Sequence, residues 1–291
     1  MRQQFVDTIS EIAEFDEKLI LLLGDIGVHG FKKVFEDYPL RSYNLGILEQ
    51  SSISLASGLS MLDFKPVVHT IAPFLVERAY EQLKLDFGYQ KLGGNFVSVG
   101  ASYDYANLGC THHCPGDVGI LMNIPNMSII LPGTAKEFDC LFKESYSNKT
   151  PNYFRLSESV NNVEIDVKYG KAKVIKKGKL ATVLAIGPML EPVIEATKDL
   201  DVTILYYTTI IPFDSLTLYN NLNNSKIIIC EPYYKGALTW LINETFENVP
   251  ISILNIGIPR EFIADYGNMN DHNKFFGLDA KGINSKIINF I

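Results

Sequence analysis

The chain is poor in what several protein classes require. Only four of its 291 residues are cysteine, Cys110, Cys114, Cys140 and Cys230, and their irregular spacing implies no disulfide framework. No apolar run approaches the roughly 20 residues that a membrane span requires; the longest are short pieces such as "LILLL". The amino-terminal stretch "MRQQFVDTISEIAEFDEK" carries acids throughout and lacks the apolar centre of a signal peptide, so the cytoplasm is the expected location. Positive charge is scarce as well: 26 Lys and Arg against 33 Asp and Glu leave a net charge of -7. That balance provides no basic field for a nucleic-acid backbone or an anionic membrane, and neither is expected as a partner. There is no short-period repeat and no low-complexity segment. "CTHHC", residues 110–114, crowds four potential ligands into five consecutive positions, too close to wrap one tetrahedral ion, and no second pair at finger-like spacing follows. No metal site is expected in this chain.

What is present is the composition of a soluble globular protein, 47% hydrophobic and 20% charged, in a length that suits two domains. Phe5, Ile9, Ile12 and Phe15 recur at helical spacing and predict an amphipathic first helix. Short β-branched runs then alternate with longer helix-like stretches, the pattern of a parallel sheet with crossover helices. In the first half these runs are residues 19–23, 66–70, 96–99, 127–131 and 153–156. The polar stretch "SESVNNVEIDVK", residues 157–168, breaks the rhythm and reads as a linker. The pattern restarts with runs at 181–186, 202–207, 226–230 and 251–256. The expected fold class is α/β: a domain over residues 1–160 with a mostly parallel sheet, followed by a smaller α/β domain over 161–291.

Ligand chemistry in such sheets gathers at the carboxyl ends of the strands. Three expected strand ends carry loaded residues: Gly24-Asp25 after "LILLL", Thr70 with Phe74 after "PVVH", and Thr111-His112 after "NFVSVG". Glu49 stands apart in "YNLGILEQSSISLASGL", among residues that pack closely, where a carboxylate is costly to bury without a partner. Taken singly, each has a structural explanation: an Asp capping a helix, a Phe in the core, a His satisfied by a carbonyl, a Glu at a helix start facing solvent. Together they suggest a site with an acid, an aromatic face and a titratable base.

The order of these residues resembles that in the pyrimidine-binding and carboxyl-terminal domains of transketolase and 1-deoxyxylulose-5-phosphate synthase, along nearly the whole chain. The likeness rests on "FVDTISEIAEFDEKLILLLGDIG", "YNLGILEQSSISLASGL", "HTIAPFLVERAYEQ", "GCTHHCPGDVGILMNIPNMSIILPG" and "PNYFRLS". In the second half, "LAIGPMLEPVIEA", "TTIIPFD" and "IGIPREFIADYG" resemble the corresponding family segments. The resemblance implies that Glu49 hydrogen-bonds a ring nitrogen of the aminopyrimidine of thiamine diphosphate, in a dry site that raises its proton affinity. It implies that Phe74 stacks on that ring, that Ile47 and Ile71 line its pocket, and that Asp25 and Ile26 border the thiazolium. His112 would face the substrate's hydroxyls and steer proton movements, while Arg155 and Arg2 would meet a substrate phosphate or hydroxyl. His113 stays outside the site as a neighbour.

Two departures carry weight. The family holds the diphosphate and Mg²⁺ through a preceding domain with Gly-Asp-Gly and a later Asn-Asn pair, and "GDI" at Gly24 has no such pair at the family's spacing. The resemblance therefore implies half of a split transketolase: a subunit that joins an amino-terminal partner carrying most of the diphosphate and Mg²⁺ site, self-associates into a heterotetramer, and moves a two-carbon ketol unit between sugars. Counting back from Thr111-His112, Leu108 stands where transketolases carry an Asp, and Gly100 where they carry a phosphate-contacting His. Those replacements predict a more apolar, roomier site for a specialised or carrier-linked sugar. Two other readings are a beta subunit of a 2-oxoacid dehydrogenase and a noncatalytic assembly subunit. "THH" and "IPNMSIILPG" disfavour the first, and retention of Glu49, Phe74 and His112 argues against the second.

Overall fold

Buried strands of parallel sheets read as unbroken apolar runs, and that is how the first sheet is built. The computed structural model describes residues 1–291. Its first six strands are β1 (Leu19–Leu23), β2 (Ser42–Asn44), β3 (Lys65–Ile71), β4 (Gly94–Val99), β5 (Ser128–Ile130) and β6 (Pro151–Arg155). All five residues of β1 are buried, and so are all six of β4. These strands are parallel to their neighbours in the order β5-β6-β4-β3-β1-β2. A second, five-stranded sheet follows, from β7 (Lys173–Lys176), β8 (Thr182–Ile186), β9 (Thr203–Tyr207), β11 (Lys226–Tyr234) and β12 (Ser252–Ile258), ordered β12-β11-β8-β9-β7. Only β7 runs antiparallel within it.

The two halves are not closed off from each other. The short strand β10 (Thr209–Ile211), which follows β9 in sequence, leaves the second sheet and pairs antiparallel with β5 as the outer strand of the first. Successive residues of a strand face opposite sides, so Leu21 and Leu23 enter one core while Ile20 and Leu22 enter another. Each core runs on into the second sheet, the first through Val183 and Ile204, the second through Leu184 and Leu205. Residues 157–168 form no strand or helix, yet they are tied down, with Asn161 buried and donating to the Gly187 carbonyl.

Helix α1 (Arg2–Phe15) buries Phe5, Ile9 and Ile12 as its spacing predicts, but Phe15 is 67% exposed and Thr8 and Ala13 complete the buried face instead. It precedes α2 (Lys32–Asp37) and α3 (Glu49–Met61). The chain goes from β1 to β2 on one side, then crosses back through α3 to β3 on the other. The ends of β1 and β3 thus form a topological switch point, the place where open α/β sheets bind ligands. No helix is long and apolar enough to cross a membrane.

Candidate functional site

Four segments converge at this switch point. Gly24 and Asp25 leave β1 with Gly24 against Thr70 of β3: a Cβ added at Gly24 would lie 3.0 Å from that of Thr70. Asp25 is exposed and takes a left-handed φ of 58°. The side chain of Asn44, at the end of β2, accepts from the Asp25 amide at 3.0 Å and the Gly46 amide at 3.2 Å and donates to the Asp25 carboxylate at 3.1 Å. One amide side chain therefore ties the two strand ends together and sets the entry to α3.

Glu49 occupies the first helical position of α3, where the helix dipole favours negative charge. Its carboxylate is buried. Oε2 accepts from Nη1 of Arg78 at 2.9 Å, whereas Oε1 has no hydrogen-bond partner. Arg78 closes a π-helical turn, Phe74–Arg78, that follows β3. Such turns are frequent at functional sites. The same guanidinium lies over the Phe74 ring, 4.2 Å from its centroid. The Phe74 ring also meets His112 edge-on, with centroids 5.5 Å apart. His112 is half-buried and shares a hydrogen bond between Nδ1 and the Thr111 hydroxyl at 2.9 Å.

Glu49, Phe74 and His112 are thus brought together from distant points of the chain, with Arg78 as the link between acid and ring. Sequence reasoning gives Arg78 no role, although it lies within "HTIAPFLVERAYEQ". Its position about one helical turn beyond Phe74, on the same side, is the one signal that points to it. Ile71 and Ile26 are half-buried and pack on the first core. Ile47, expected to line a pocket, is 66% exposed, so this chain leaves that wall open. Arg2 is exposed at the first turn of α1. Burial pushes the Tyr105 hydroxyl up in pKa, and the positive charge of Arg2 works against that rise.

Two expectations need correction. Arg155 does not face the site. It is buried in β6, donates from Nε to Asp117 at 2.7 Å and from Nη2 to the Ser102 hydroxyl at 2.7 Å, and so balances an internal charge. Gly100 does not make room either: a Cβ there would lie 2.6 Å from the Tyr105 ring, which fills the space. Leu108 is half-exposed. His113 turns away from Phe74 and is buried against His272, ring centroids 6.1 Å apart. Within "CTHHC", Cys110 is exposed and Cys114 buried, both free, and no group of three or more His, Cys, Asp or Glu side chains is placed to hold a metal ion.

Comparison with known proteins identifies the family. The chain is 38% identical over 291 residues to the "Uncharacterized 33.6 kDa protein in fasciation locus" of Rhodococcoides fascians, covering 99% of this chain and 93% of that one. It is 27% identical to an apulose-4-phosphate transketolase subunit of Phocaeicola vulgatus, covering 100% of this chain and 97% of the relative. Among solved structures, a "Split gene transketolase, inactive beta4 tetramer" superposes with a TM-score of 0.87 at 23% identity, over 99% of this chain and 97% of that one, a likeness of fold. Residues 1–163 match the family described as "Transketolase, pyrimidine binding domain", and the chain belongs to the transketolase family.

Proposed function

We propose that this chain is the pyrimidine-side subunit of a thiamine-diphosphate-dependent transketolase that moves a two-carbon ketol unit between sugars. The observation that carries the reading is Glu49: a buried carboxylate at a switch point, with one oxygen unpartnered, beside an aromatic ring and a histidine. An aminopyrimidine needs an acid for its ring nitrogen, an aromatic face and apolar walls, and Glu49, Phe74 and Ile71 fit those needs. Asp25 and Ile26 border the same edge and take the thiazolium side, with Ile47 on the open flank. Thiamine diphosphate, when bound, supplies the electron sink that lets a carbon–carbon bond beside a carbonyl break.

The protein's part is proton placement. Glu49 holds a proton toward the ring nitrogen, in a position shielded from water. His112, with Nδ1 committed to Thr111, has Nε2 left to exchange a proton with a substrate hydroxyl. Arg2 is the cation of this chain that we assign to a substrate phosphate. Leu108 alone now supports a less polar sugar, since Gly100 opens no space.

A partner chain completes the site in this reading. The P. vulgatus relative is named as a subunit, and its likeness to this chain supports assigning the diphosphate and Mg²⁺ mainly to an amino-terminal chain. The surface supports assembly into a heterotetramer. Leu55 in α3 is exposed, as are Leu48 and Leu62, seven positions away on either side at the two ends of the helix, with Leu85 and Tyr89 exposed on the adjoining helical segment. Gly58 in the middle of α3 has open space where a Cβ would sit. A helical glycine costs about 1 kcal/mol against alanine, a cost offset where another chain packs close.

The test is to co-purify this chain with the cell's candidate amino-terminal subunit and measure thiamine-diphosphate binding to each chain alone and to the mixture. We expect poor binding by this chain alone and Mg²⁺-dependent binding by the mixture. Tight Mg²⁺-dependent binding by this polypeptide alone would overturn the split-enzyme reading.

A further inference from the structure

The pair between Arg78 and Glu49 is at odds with the work just assigned to Glu49. The guanidinium already holds Oε2 of that carboxylate at 2.9 Å, where a ring nitrogen would have to compete for it. An acid that shares a proton with a ring nitrogen has to carry that proton. The aromatic side shows the same conflict, because the guanidinium covers a face of Phe74 at 4.2 Å, stacking distance for a flat ring. One side chain thus engages both groups that the pyrimidine would use. It is also free to leave: the Arg78 side chain is 42% exposed, while that of Glu49 is 3% exposed.

Resting on the function proposed above, we infer that Arg78 is a stand-in for the aminopyrimidine, satisfying Glu49 and covering Phe74 until the cofactor displaces it. In the exchange Arg78 keeps its charge and moves into solvent, and the aminopyrimidine takes its place beside the Glu49 carboxyl and on the Phe74 face. Arg78 is therefore a positioning residue that competes with the cofactor. Because the Arg78 side chain is 42% exposed, its guanidinium has solvent to move into when the cofactor enters.

The experiment is calorimetric titration of thiamine diphosphate with Mg²⁺ into the reconstituted complex, wild type against variants. Arg78→Met is expected to bind roughly 2- to 5-fold tighter, since the competitor is gone. Arg78→Lys, which keeps the charge, is expected to stay near wild type in affinity. Thermal unfolding of the Arg78→Met chain confirms that it folds. Wild-type affinity or weaker binding in Arg78→Met would sink the stand-in role while leaving the subunit assignment intact. A complex that binds no cofactor in any variant overturns both.

Discussion

Arg155→Met separates a substrate contact from a structural ion pair. In the structure Arg155 and Asp117 have side chains 1% and 0% exposed, so water screens neither charge. Removing the guanidinium leaves Asp117 with the Tyr153 hydroxyl at 2.7 Å as its donor, since its Oδ1 already lacks a partner, and takes one donor from the Ser102 hydroxyl, which keeps its bond to the Pro232 carbonyl. Stranding a buried charge in this way costs about 3 to 5 kcal/mol. At roughly 2 °C per kcal/mol for a chain of this size, the unfolding midpoint should fall by about 6 to 10 °C. The measurement is calorimetric or denaturant unfolding of the chain without substrate. Adding Asp117→Asn to Arg155→Met removes the stranded charge and should recover part of the loss, so the double-mutant cycle should show coupling of about 1 kcal/mol or more. An unchanged midpoint, with the defect confined to a raised KM for a phosphorylated sugar, would refute the argument and return Arg155 to the substrate.

Glu49→Gln, nearly isosteric but unable to share a proton with the ring nitrogen, should leave the complex assembled and slow hydrogen exchange at the thiazolium carbon by roughly 100-fold or more; unchanged exchange would remove Glu49 from the chemistry. Glu231 is fully buried, and burial pushes its carboxyl up to about 8. An acid raised in the folded state favours folding while protonated, so its contribution is lost as pH rises from the ordinary carboxylate range toward 8, at up to about 1.4 kcal/mol per pH unit. Glu231→Gln should flatten that decline when unfolding is followed across pH 5 to 8, roughly the span concerned. Burial holds His69 down at about 4, which acts oppositely: its contribution is lost as pH falls from about 6.5 toward 4, and the steeper acid-side loss should become visible in Glu231→Gln. Leu55→Lys puts a charge in the exposed stripe of α3 and should shift the complex to smaller species in sedimentation, with the fold of the chain retained.

Much of this protein is legible in short windows, because local pattern reports which residues avoid water. "LILLL" announces a strand buried on both faces, and all five of its residues are buried. The sequence by itself determines the run of parallel strands, the loop ends that carry Asp25, Phe74 and His112, and the isolation of Glu49 among packing residues. Which charges meet is another matter, since that depends on segments far apart in the chain. Arg78 and Arg155 both sit in short motifs with aromatic residues, and although the spacing from Phe74 hints at Arg78, nothing local names the acid that either one meets. The crossing of α3 between β2 and β3 brings Arg78 to Glu49, 29 positions away, and the pairing of β6 with β4 inside the core brings Arg155 to Asp117, 38 positions away. The same holds for Tyr105, whose ring fills the space beside Gly100, and for β10, which closes the edge of a sheet begun nearly two hundred residues earlier. Burial is a property that each residue type advertises, whereas a partner is decided by strand order and by how the loops fold back, so only the tertiary structure could place the acid's partner and take Arg155 out of the site.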